Sequence, residues 1–64
     1  MAIYDITYDF PDGSTSVWTK IVRADVLQEL AYDEAAILKY IVDVAMDNMP
    51  DGAVMVGRIE CISA

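Results

Sequence analysis

Residues 2–23 read AIYDITYDF, PDG, STSVWTKIVR, and this stretch decides the fold. In the first segment Ala2, Tyr4, Ile6, Tyr8 and Phe10 fall on one side, and Ile3, Asp5, Thr7 and Asp9 on the other. A period of two, with aromatic and β-branched residues, is the signature of a strand. In Pro11-Asp12-Gly13 the proline presets φ, the aspartate suits the next turn position and the glycine accepts positive φ. A three-residue hairpin loop is therefore expected, a type I turn closed by a glycine bulge. With Phe10 opposite Ser14, the pairs run Tyr8 with Ser16, Ile6 with Trp18 and Tyr4 with Lys20. Trp18 and Val22 then share the Tyr/Ile/Phe face, which is the candidate core. Thr15, Thr19, Val17 and Ile21 join Ile3, Asp5, Thr7 and Asp9 on the other face. A slip of one residue would invert the whole assignment.

Downstream, ADVLQELAY (24–32) and DEAAILKYIVDVAMDNM (33–49) carry helical spacing. Asp25 is expected to cap a first short helix and Asp33 a second, with Glu34 in the first turn, where the helix dipole favours it. A single helix from Asp25 to Asn48 is the competitor. It would set Glu34 in the middle of the apolar arc of Leu30, Ile37, Leu38 and Ile41. A break near Tyr32–Asp33 avoids that burial, so two helical pieces are expected. Pro50 and Gly52 stop the second. AVMVGRIECIS (53–63) is again strand-like, with Met55, Ile59 and Cys61 alternating against Val56, Arg58 and Glu60. Gly57 marks a bulge or a close approach of the helix.

The order strand, strand, helix region, strand places the third strand beside the first by a right-handed crossover. The expected fold is a small two-layer α+β domain: a three-stranded antiparallel sheet, order 2-1-3, one face covered by helix. All 64 residues form one domain. A chain of this size buries only about 60% of its unfolded surface. A small-molecule cleft occupies about 300–1,000 Å³, more than such a core can spare.

Catalysis is not expected. The chain has no histidine, the commonest general base and metal ligand. Cys61 is the single cysteine, so no internal disulfide and no cysteine-held zinc can form; it reads as a small buried hydrophobe. Ser14, Ser16 and Ser63 lack a nucleophile turn, and the three glycines lie too far apart for a phosphate-binding loop. Asp43, Asp47 and Asp51 do not follow the spacing of a calcium loop. No cofactor and no metal are expected. The lone thiol and the absence of a signal-like N-terminus or an apolar run of about 18 residues point to a cytoplasmic setting with no membrane contact.

Eleven acidic residues face four basic ones, a formal net charge of −7. Direct binding to nucleic acid or to an anionic membrane is disfavoured, because both are polyanions. The complementary partner is a basic protein surface. Solubility alone would also account for the charge. The pattern goes further: treated as coaxial, the helical pieces set Asp25, Glu29, Asp33, Asp43 and Asp47 within an arc of about 80°, with Tyr40 among them. Glu29/Asp33 and Asp43/Asp47 are like-charge i,i+4 pairs, each costing a few tenths of a kcal/mol. A row of anions about 6 Å apart resembles a nucleic-acid backbone to a basic groove. Asp5 and Asp9 could extend it.

In size, charge and layout the chain resembles the small acidic inhibitors encoded by phages and mobile elements, notably type I anti-CRISPR proteins. The resemblance rests on no shared motif and carries no residue over. It implies a non-enzymatic DNA mimic that blocks target-DNA binding by a Cas effector subunit in the host cell of a phage or mobile element; a monomer is expected rather than a dimer. The alternative is an antitoxin-like or accessory module. It would bind through an uncovered apolar sheet face of Ile3, Val17, Ile21, Val54, Val56 and Ile62.

Overall fold

The hairpin forms as its turn chemistry dictates. In the computed structural model, which describes Met1–Ala64, strand β1 (Ala2–Asp9) pairs antiparallel with β2 (Thr15–Val22). Tyr4 lies opposite Lys20, Ile6 opposite Trp18 and Tyr8 opposite Ser16. Phe10 N–H donates to the Ser14 carbonyl at 3.0 Å, and Gly13, at φ +86°, donates to the Phe10 carbonyl at 3.0 Å. The Asp12 carboxylate accepts from the Ser14 N–H (2.9 Å) and hydroxyl (2.6 Å), which holds its pKa below the usual carboxylate value.

Two helices follow, α1 (Ala24–Glu29) and α2 (Glu34–Asp47), then strand β3 (Met55–Ser63), antiparallel to β1 on its far edge. The sheet order is β2-β1-β3, an α+β fold with the expected layout. No helix is long and apolar enough to cross a membrane.

The expected break between the helices is a Schellman motif. Ala31 N–H donates to the Gln28 carbonyl (2.9 Å) and Tyr32 N–H to the Leu27 carbonyl (3.0 Å), the 5→2 and 6→1 bonds that define it. Ala31 and Tyr32 both sit at left-handed φ, 54° and 53°. Asp33 then caps α2, its carboxylate accepting from the Ala35 N–H at 3.1 Å. Asp25 does not cap α1. Arg23 is the N-cap, without a side-chain bond, and Asp25 lies inside the first turn. Its carboxylate meets its neighbour's N–H (Val26, 3.0 Å) and the Arg23 side chain (3.5 Å).

The core is one cluster between sheet and helices. Ala2, Ile6, Tyr8 and Val22 meet Leu27 of α1 and Ile37, Ile41 and Ala45 of α2. Tyr4, Trp18, Val56 and Ile59 pack at its margin. No buried side-chain polar atom lacks a partner.

Gly57 is a bulge. Thr7 pairs with Arg58 and Tyr8 with Val56, so Gly57 opposes nothing, and a second irregularity skips Ile62. The bulge exchanges the faces before it. Val56, opposite Tyr8, turns to the helices, while Met55, opposite Asp9, lies on the open face. The simple alternation expected for Met55 and Val56 is thereby corrected. The close approach at Gly57 comes from β1 rather than from a helix: a Cβ there would overlap the Asp9 carboxylate, with Oδ1 at 2.6 Å. Cys61 is exposed rather than buried, because its edge strand is left uncovered there.

Candidate functional site

The acidic residues singled out from sequence divide between two sides of the sheet. Asp25, Glu29, Asp33, Asp43 and Asp47 belong to the helical layer and are exposed. Asp5 and Asp9 alternate with the core residues of β1, which puts them on the opposite, open face. The structure does not bring these two groups together.

Within the helical layer a single wheel does not hold. Four residues, Leu30 to Asp33, separate α1 from α2, and two of them are left-handed. Asp25 and Glu29 lie on one helix, Asp43 and Asp47 on the other, and Asp33 is engaged as a cap. Asp43 also has a cation beside it: Lys39 Nζ donates to its carboxylate at 3.0 Å, an i,i+4 pair. Such exposed pairs contribute at most about 1 kcal/mol, yet they locally cancel charge. Asp47, one turn further on, has no such partner. Tyr40 is half-buried against the core margin. Its ring packs as part of the domain.

On the open face Asp5 accepts from the Thr19 hydroxyl at 2.8 Å. Glu60 lies directly opposite Asp5 on β3 and is drawn to Arg58 at 2.7 Å. Glu60 was not among the expected residues. Its place beside Asp5 depends on the β3 register, which the Gly57 bulge shifts. Around these carboxylates the face is apolar, with Val17 61% and Ile21 51% exposed. Of the other residues expected there, Val56 faces the helices and Ile62 falls in the second bulge.

A half-open recess of about 490 Å³ lies where α1 and α2 meet the β1–β3 edge. Tyr4, Leu27, Tyr32, Glu34, Leu38 and Cys61 are among its walls. Sequence reasoning left no room for such a space. Burial foremost, then the Cys61 thiol and the Glu34 carboxylate, push the Tyr4 hydroxyl above its ordinary pKa. No three histidine, cysteine or carboxylate side chains gather in a way that could hold a metal ion.

No protein-family model matches the chain, and comparisons with curated proteins and with solved structures find no match.

Proposed function

We propose that the chain is a non-enzymatic binding protein that presents its acidic surface to a basic, nucleic-acid-binding groove of another protein, as a DNA mimic does. One observation supports this above the rest. Of eleven carboxylates only Asp25, Asp43 and Glu60 pair with a base, leaving eight with no opposing charge. Eight uncompensated carboxylates give the surface a single-sign field that steers it towards a basic partner. A Cas effector subunit is the class of partner that the size, charge and layout suggest, and α2 with Asp43 and Asp47 is the element that would enter the groove.

Capture at two salt concentrations tests this. Immobilised protein should retain DNA-binding proteins from a bacterial lysate at about 50 mM salt and release them at about 500 mM, where screening is strong. Short duplex DNA should displace them. Retention indifferent to both salt and duplex DNA contradicts the reading. It would favour the second one, docking through the exposed Val17 and Ile21 beside Ile3, for which salt matters little.

A further inference from the structure

The free edge of β3 has a pattern that fits itself. β1 is the central strand, and its backbone parity is fixed at the hairpin. Phe10 bonds Ser14, so the even residues of β1 bond to β2. The Asp9 carbonyl accepts from the Val54 N–H at 2.8 Å, so the odd residues aim at β3. Thr7 and Asp5 are therefore bonded to Arg58 and Glu60, their partners in register. Alternation then turns the N–H and C=O of Ile59 and Cys61 outward, to an edge with no neighbour.

Above that edge runs an apolar flank of α2. Leu38, Val42 and Met46 recur every fourth residue and are 54%, 40% and 57% exposed. Val42 and Met46 border Met55–Ile59, and Leu38 borders Cys61, so the flank follows β3 along its length.

We propose that β3 pairs with β3 of a second copy of this chain, antiparallel about a two-fold axis at Ile59, giving a continuous six-stranded sheet. Charge selects both the occupant and the register. Arg58 and Glu60 share the open face of β3 and are 2.7 Å apart within one chain. Centring the pair on Ile59 sets Arg58 opposite Glu60 of the second copy, and the reverse. Centring it on residue 58 or 60 would set like charges face to face, which is destabilising. The same centre satisfies the backbone. Ile59, whose groups point outward, forms the hydrogen-bonded pair, and Arg58 and Glu60 form the non-hydrogen-bonded pairs in which side chains come closest. A two-fold perpendicular to the sheet keeps both α2 helices on one side, so each apolar flank meets its copy. The bulges at Gly57 and Ile62 confine the pairing to Arg58–Glu60.

Light scattering on the purified chain between ~10 μM and ~1 mM, the range of a weak complex, tests this. The mass should rise from 7.1 kDa towards twice that value. The amide of Ile59 should gain protection from hydrogen exchange as concentration rises. Arg58→Glu should weaken the dimer about tenfold or more, since both cross-strand pairs become repulsive. The double exchange Arg58→Glu/Glu60→Arg should restore it, with circular dichroism checking that each variant is folded. A monomer throughout that range overturns the proposal. So does a dimer that Arg58→Glu leaves intact, or one in which the Ile59 amide stays unprotected.

Discussion

The Tyr8 hydroxyl donates to the main-chain carbonyl of Ala45 at 2.7 Å, across the buried seam between β1 and α2. This bond solves two problems at once. Ala45 lies in the last turn of α2, where carbonyls lose their helical partners, and its other donor, the Asn48 N–H, is 3.4 Å away. Tyr8 is fully buried, so its own hydroxyl also needs a partner. The strand that forms the hairpin thus satisfies a carbonyl at the end of the helix.

Removing that hydroxyl tests the seam. Tyr8→Phe should lower unfolding stability by about 1–2 kcal/mol, since a buried carbonyl is left with one long bond. Urea denaturation at neutral pH measures it. A change within error would mean that water or Asn48 takes over.

The same residue gives the fold an alkaline limit. Burial raises the Tyr8 pKa above its ordinary 10.0, and Tyr4 is raised as well. Between the unfolded and folded values the native state holds more protons, so stability falls as pH rises. It is fully present below pH 10.0 and is lost as pH rises through the raised values. Urea midpoints should drop as the pH rises past 10.0, and less steeply in Tyr8→Phe.

The left-handed residue that ends α1 is an alanine where glycine is usual. Left-handed φ costs an L-residue about 1–2 kcal/mol, and glycine's flexibility offsets about 0.5–1 of that gain. Ala31→Gly should therefore be neutral or stabilising by up to about 1 kcal/mol, whereas Ala35→Gly inside α2 should destabilise by a similar amount. Loss of stability in Ala31→Gly would contradict the Schellman geometry.

Capping separates the two aspartates that looked alike in sequence. Asp33→Ala should destabilise by about 1 kcal/mol, and Asp33→Asn by much less, since asparagine caps as well. Asp25→Ala removes only exposed contacts, with Arg23 and with the Val26 N–H, and should change stability by less than about 0.5 kcal/mol. Thermal unfolding of the three variants checks the order.

How much of this was legible in the chain depends on how local the cause is. The β1–β2 register followed from Pro11-Asp12-Gly13, because a turn of fixed length pins every pair beyond it. The core face followed from that register. The facing of Met55 and Val56 did not: Gly57 was legible as a bulge or a close approach, and only the first of these reverses the alternation. The straight acidic stripe assumes one unbroken helical phase. Ala31 and Tyr32 carry no composition signal for left-handed backbone, yet they separate Asp25 and Glu29 from Asp43 and Asp47. The division of the carboxylates between two faces was already implied by the alternation of β1, which sets Asp5 and Asp9 opposite the core face.

Lys39 offers a gain-of-function test of the acidic surface. It is the cation beside Asp43, so Lys39→Gln should strengthen binding to a basic partner while costing at most a few tenths of a kcal/mol in stability. Retention of captured proteins should then persist to higher salt.

The central claim concerns α2 and its carboxylates, and one measurement addresses it. Asp43→Lys/Asp47→Lys should reduce retention of DNA-binding proteins at low salt about tenfold or more, because electrostatic complementarity reverses. Its urea midpoint should stay close to that of the parent, since both side chains are exposed. Undiminished retention at low salt by a folded double variant would contradict the account.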